Sequence, residues 1–312
     1  MKRVLILGGS GFVGRSLCQQ LVRQGGFEIT VPTRRLRDAQ ALQLLPGLCI
    51  RQAQVSDEAQ LRQLLAGQDA VVNLIAILQG SSDAFQQVHV ELPRRIAAAC
   101  RAEGVERLVH VSALGVGEQA PSRYLRSKAA GEAVLQRAGL ALSLLRPSVI
   151  FGRDDRFLNL FARLQALFPL LPLAGALAQF QPVWVEDVAA ALRACLNDPA
   201  TIDQHYEIAG PEAAPLAHWV RLAGQMSGHP RPLLPLPEAA AWLQALMMEC
   251  LPGEPLMSRD NLASMQLPNV ATGQWPGLAA LGIRPRSAAS VLSDYMQGEQ
   301  TQQNDWRRRA GR

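Results

Sequence analysis

A chain of 312 residues, 48% hydrophobic and 18% charged, has apolar side chain enough for one large or two ordinary domains and too much for global disorder. The net charge of +5 comes partly from the tail, where Arg307, Arg308, Arg309 and Arg312 face Glu299 and Asp305, so nothing argues for a nucleic-acid partner. Five scattered cysteines (Cys18, Cys49, Cys100, Cys195 and Cys250) and five dispersed histidines show no metal-ligand spacing, so we expect no metal and a reduced, cytoplasmic-side location.

The apolar run Val4-Leu5-Ile6-Leu7 predicts a first strand so early that no room is left for a signal peptide. It stops in Gly8-Gly9-Ser10-Gly11-Phe12-Val13-Gly14, and a helical pattern follows at once, with Phe12, Val13, Leu17, Leu21 and Val22 on one face. Strand, glycine turn and helix in this order predict a dinucleotide site: Gly8 opens the turn, Gly11 lets the backbone approach a pyrophosphate, and Gly14 lets helix and strand pack closely. The helix N-terminus then offers N–H groups and partial positive charge to the phosphates. The spacing is Gly8-x-x-Gly11-x-x-Gly14 and not that of the simplest dehydrogenases.

Phe27 to Val31 predicts the second strand, and Val31-Pro32-Thr33-Arg34-Arg35 follows. An acid at its end would bond a ribose 2′-hydroxyl; here two guanidiniums suit a 2′-phosphate, which favours NADP(H) over NAD(H). Further strands are expected at Leu48 to Ala53, Asp69 to Ile75, Arg107 to Ser112 and Leu142 to Arg146, with helices at about Asp57 to Ala66 and Ala84 to Glu103 between them. That alternation predicts a doubly wound parallel α/β sheet of Rossmann type, with right-handed crossovers. The end of the fourth strand, Leu74-Ile75-Ala76, should pass beside the cofactor, and the fifth should deliver Ser112 to the carboxyl edge, where ligands of such sheets bind.

Tyr124-Leu125-Arg126-Ser127-Lys128 sets a phenol and an ammonium one helical turn apart. A lysine charge favours the phenolate and should lower the tyrosine pKa, preparing Tyr124 to exchange a proton with a substrate oxygen that Ser112 also contacts. Lys128 could in addition hold the cofactor ribose.

With these residues in view, the chain resembles a short-chain dehydrogenase/reductase of the extended or atypical kind. Longer stretches narrow the resemblance: 109–115, 127–132, 146–152, 155–159 and 181–188, with Ser258-Arg259-Asp260-Asn261 late in the chain. As a set they are similar to the atypical branch containing the nucleotide-binding accessory subunit of respiratory complex I and its bacterial relatives. The resemblance implies a pyrophosphate loop of Gly8, Ser10, Gly11, Phe12, Val13 and Gly14, and a 2′-phosphate position at Arg34 with Arg35 beside it. It implies further cofactor contacts at Val55, Leu74, Ala76, Lys128, Arg146, Pro147 and Val149, and a catalytic set of Ser112, Tyr124 and Lys128. It also implies a link to quinone metabolism, ubiquinone included. Two departures stand out. Gln54 occupies the place of an acid near the adenine. Leu125 and His89-Val90-Glu91 replace the Tyr-Gly-x-x-Lys and Asn-x-x-Gly-Thr patterns of sugar-nucleotide epimerases, which makes epimerase activity doubtful.

Beyond Arg146 the chain changes character. Phe157 to Phe168 predicts a strongly apolar helix, and no charged residue appears between Arg163 and Glu186. Pro169, Pro172, Gly175 and Pro182 argue against a membrane span and for a buried lid or pocket wall. Extended structure from Gln181 to Val185, a helix from Glu186 to Leu196 and a strand at Gln204 to Ile208 follow, then proline-punctuated helices, Ala239 to Leu251 the most apolar. We expect a dinucleotide-binding domain over 1–154 with return elements at about 181–210, a smaller, mostly helical substrate region over 155–296, and a disordered basic tail over 297–312. The expected activity is an NADP(H)-dependent oxidoreductase acting on a hydrophobic, quinone- or lipid-like substrate. The alternative is a non-catalytic cofactor-binding subunit or assembly factor of a respiratory complex, with an apolar partner surface or a peripheral position at the inner face of a membrane.

Overall fold

The computed structural model describes residues 1–297, apart from Leu251 and Glu254, so the expected basic tail lies outside the described residues. Two compact units emerge. The first comprises Met1–Pro147, Val185–Ile208 and Thr272–Arg284, and the second Ser148–Trp184, Ala209–Ala271 and the chain from Pro285.

The first unit is the Rossmann-type sheet. Its strands are β1 (Lys2–Leu7), β2 (Phe27–Thr33), β3 (Leu48–Gln52), β4 (Ala70–Asn73), β5 (Arg107–Val111), β6 (Ala141–Pro147) and a last strand at Gln204–Ile208. All pair in parallel, in the spatial order last strand, β6, β5, β4, β1, β2, β3. The order reverses between β1 and β4, and that switch point opens the crevice at the carboxyl edge. Val4, Leu5, Ile6 and Leu7 are fully buried, as a central strand covered on both faces requires. Helices α1 (Phe12–Gln24) and Val185–Asn197 pack together, fastened by Gln20, whose amide donates to the Glu186 carboxylate at 2.8 Å. Helices α2 (Glu58–Leu65), α4 (Leu92–Glu103) and α5 (Arg123–Gln136) enclose a second core with Leu5, Leu7, Val71, Leu108 and Leu144.

The helix expected from Ala84 to Glu103 is interrupted. It begins as α3 (Ser82–Gln86), widens into a π-turn over Gln87–Glu91 and resumes as α4. Pro93 explains the break: it has no N–H for the carbonyl of His89 four residues earlier, and Leu92 N–H instead reaches back to the Gln87 carbonyl. The freed carbonyl faces Gly131 of α5, where a Cβ would lie 1.9 Å from His89 O. The backbones of α5 and the π-turn therefore touch, which only glycine permits.

In the second unit the helix Leu158–Leu167 packs against Leu216–Met226 around Phe151, Leu158 and Trp219. Asp155 starts the first of these helices, accepting from the amides of Gly152, Phe157 and Asn159. Ser258 and Asn261 form a capping box at the head of Arg259–Ser264, a helix-starting role for that late stretch. The segment expected to be a buried wall is half open: Leu158, Ala162 and Gln165 are buried, whereas Leu167, Phe168, Leu170 and Leu177 are exposed. Among the described residues no helix is long and apolar enough to cross a membrane.

Candidate functional site

The glycine turn sits at the switch point. Gly9 N–H bonds the Ile6 carbonyl and Gly11 N–H the Gly8 carbonyl, which curls the chain out of β1 into α1. Gly14 is the tightest point: a Cβ there would lie 2.5 Å from both Gly8 O and Gly9 Cα. Phe12 and Val13 are half-buried at the start of α1. No side chain caps this helix and no acid stands in its first turn, so its positive end is left for an anion. Arg34 and Arg35 follow β2, both exposed; Gln52 holds the backbone there, donating to the Arg34 carbonyl at 3.3 Å. This edge carries two arginines, and Asp38, the acid that follows them in the sequence, is paired with Arg37.

Leu74 and Ala76 lie on the loop after β4, with Leu74 N–H bonded to the Leu7 carbonyl. Asn73 shapes this loop. Its side-chain oxygen accepts from Ile75 N–H, and its amide donates to Nδ1 of the buried His110 at 3.1 Å. Val55 is half-buried against the α2–α4 core.

Ser112 directly follows β5. It is 4% exposed, and its Oγ has no hydrogen-bond partner. A buried hydroxyl in that state is costly unless a ligand satisfies it. Lys128 stands beside it: Nζ donates to the Val111 carbonyl at 2.7 Å, which brings the ammonium to the residue preceding Ser112. Burial pulls Lys128 down to about 8, against the opposing pull of Glu132. Tyr124 packs edge-on to His89, with ring centroids 5.5 Å apart, and to Phe85. The phenol does not follow the expectation from the lysine spacing. Burial dominates and pushes Tyr124 up to about 12.

Arg146 and Val149, two further residues expected at the cofactor, each have protein partners. The Arg146 guanidinium grips the buried Glu132 carboxylate through Nε and Nη2, at 3.0 and 2.5 Å, and stacks over Trp275. It is therefore engaged in an internal ion pair, while Pro147 ends β6 and accepts from Leu114 N–H. Val149 belongs to the second unit, where its N–H donates to the Asn269 side chain.

Asn73 and His110 were not singled out from the sequence as site residues, and His89 entered only as a departure from the epimerase pattern. The signals were present, as polar residues inside otherwise apolar strand runs and as a proline four residues after a histidine. Chain composition offered another: the protein has only two lysines, Lys2 and Lys128, among 31 basic residues.

The turn, the uncapped helix, the cationic edge after β2 and the orphaned Ser112 hydroxyl together fit a nicotinamide dinucleotide. Comparison with known proteins agrees. A family described as NAD(P)H-binding matches residues 8–199. The chain is 32% identical over 288 residues to the mitochondrial NADH dehydrogenase [ubiquinone] 1 alpha subcomplex subunit 9 of Mus musculus, covering 90% of this chain and 76% of the relative. It is 30% identical over 204 residues to a ceramide reductase of Caulobacter vibrioides, covering 63% of this chain and 61% of that one. The fold superposes on an Escherichia coli NADPH-dependent quinone oxidoreductase solved with NADPH, at a TM-score of 0.76 and 20% identity over 93% of this chain and 99% of that one. The protein thus belongs to the NAD(P)H-binding, short-chain dehydrogenase/reductase-like family that also contains the mouse respiratory subunit.

Proposed function

We propose that the protein is an NADP(H)-dependent reductase of an apolar carbonyl compound. The observation that carries this reading is the buried, unpartnered Ser112 hydroxyl beside Lys128 and the Tyr124 helix. Bound nicotinamide would supply the hydride. Ser112 Oγ would donate a hydrogen bond to the substrate carbonyl, and the Tyr124 hydroxyl would give that oxygen its proton. Lys128, a compact cation at the carboxyl edge, would bind the cofactor ribose. Gly8, Ser10, Gly11, Phe12, Val13 and Gly14 would cradle the pyrophosphate, Arg34 and Arg35 a 2′-phosphate, and Val55, Leu74, Ala76 and Pro147 would flank the cofactor.

The apolar substrate class is supported by the Phe85 and His89 rings around Tyr124 and by the ceramide reductase relative. NADPH oxidation against a panel of long-chain ketones and quinones tests the proposal. Tyr124→Phe should abolish turnover on any substrate found and leave NADPH affinity within about twofold, because it removes one hydroxyl and keeps the ring. Undiminished turnover in that variant refutes the proton-donor role.

Similarity to the mouse subunit over 90% of the chain supports a second reading, a cofactor-binding component of a respiratory complex without turnover. NADPH raising the melting temperature, with no substrate turned over and the protein isolated with partner subunits, would favour that reading.

A further inference from the structure

We infer that His89 is a positioning residue for Tyr124, a clamp between the loop after β4 and the first turn of α5. This rests on Tyr124 being the proton donor. The imidazole is 3% exposed and held on every side. Its Nε2 accepts from Ile77 N–H at 3.2 Å, and its Nδ1 lies 2.8 Å from Ser127 Oγ. Ser127 in turn donates to the Tyr124 carbonyl at 2.8 Å. One face stacks on Phe85 at 5.5 Å between centroids, and the ring meets Tyr124 edge-on. The backbone of the same residue is pinned by the π-turn and by Gly131.

This set of bonds fixes the tautomer. Because Nε2 accepts, the proton sits on Nδ1 and is given to Ser127 Oγ, whose own hydrogen goes on to Tyr124 O. Only a neutral ring can do this; an imidazolium would have no acceptor for Ile77 N–H. Tyr124 and Lys128 of α5 and His110 of β5 are titratable groups facing it. Burial, reinforced by the Lys128 charge, holds His89 down at about 3, and His110 is likewise kept well below the usual histidine range. The ring is therefore a constant donor–acceptor bracket and takes no part in moving protons. Ile77 lies in the loop that begins with Leu74 and Ala76, so the bracket ties the proposed cofactor wall to the phenol.

The test uses the full chain and two variants. His89→Leu keeps apolar bulk and loses both hydrogen bonds. His89→Gln keeps one acceptor and one donor. His89→Leu should lower kcat at least about tenfold, since two buried bonds are lost and the Ile77 and Ser127 groups are orphaned. KM and the NADPH Kd should stay within about twofold, and His89→Gln should recover most of the rate. Nitrogen-15 NMR of histidine-labelled protein, with the His89 signal assigned by its loss in His89→Gln, should show a neutral Nδ1–H ring from pH 5 to about 8. An unchanged kcat in His89→Leu overturns the inference, as does equal slowing in both variants, which would mean packing alone. An Nε2–H ring, or titration near the ordinary histidine value, overturns it too. If no carbonyl substrate is turned over, the reductase reading falls, and the NMR tautomer alone decides whether the clamp exists.

Discussion

Ser112→Ala separates what the fold needs from what a ligand needs. The hydroxyl is buried and bonded to nothing, and an unsatisfied buried polar group costs about 1–3 kcal/mol. Removing Oγ abolishes that cost and leaves a void of a single atom, so the variant should be more stable by about 1 kcal/mol, the low end of that range. For a unit of this size, that raises the thermal midpoint by about 2–4 °C. Ser143→Ala is the internal control. Ser143 is also buried, but its hydroxyl accepts from the Arg107 guanidinium at 2.7 Å and donates to the Thr201 carbonyl. Losing it removes both bonds, although Arg107 keeps the Cys195 and Ala141 carbonyls, and should lower stability by about 1–3 kcal/mol. Turnover should move the other way: Ser112→Ala loses a hydrogen bond to the substrate, about 0.5–1.5 kcal/mol or roughly 2- to 13-fold. Scanning calorimetry and steady-state kinetics on both variants read out the contrast. A Ser112→Ala midpoint below that of the native protein would refute the reasoning, because it would mean the hydroxyl already has a partner.

Three more perturbations test the rest of the site. Arg34→Asp should cut NADPH affinity about tenfold or more and narrow the preference over NADH, since a charge-assisted bond contributes about 1.5–3 kcal/mol; equal affinities for both cofactors in the native protein, measured by titration calorimetry, would remove the basis for this assignment. Gly14→Ala should be destabilising by about 1–3 kcal/mol from overpacking against the Gly8 and Gly9 backbone, although the same change in an open helix gains about 1 kcal/mol; denaturant melts would show it. Finally, Lys128 carries a pH signature. Its pKa falls from 10.5 to about 8 on folding, so between those values the unfolded chain binds more protons and stability relative to Lys128→Met should rise with pH. Tyr124 goes from 10 to about 12, so above about pH 10 its contribution relative to Tyr124→Phe should fall with pH. Urea titrations across that range check both signs.

Patterns with a fixed period were legible in the sequence. The glycine turn and the parallel sheet follow from apolar runs and glycine spacing, and the structure reproduces them together with the late strand expected at Gln204 to Ile208. Competing effects on single residues were not legible. Tyr124–Lys128 spacing argues for a lowered phenol, yet desolvation raises it, and the depth of burial is a tertiary quantity. The helix expected from Ala84 to Glu103 reads as continuous until one asks which carbonyl lacks the Pro93 N–H, and only the packing of Gly131 shows where that carbonyl points. The resemblance names Arg146 as a cofactor contact, and its ion pair with the buried Glu132, on a helix fourteen residues earlier in the chain, is a tertiary feature that spacing does not show.

The scarcity of lysine has a practical consequence. Arginine supplies every other basic side chain, so the ε-amines of the whole protein number two, and one of them is the buried Lys128. With a pKa lowered to about 8, that amine is largely an unprotonated nucleophile in mildly alkaline buffer, whereas Lys2 lies far away in sequence at the start of β1. Amine-directed acylation, followed by cleavage at lysine, would yield a readout with two positions only. Protection of one of them by a bound dinucleotide would be visible in a single mass spectrum, without knowledge of the substrate.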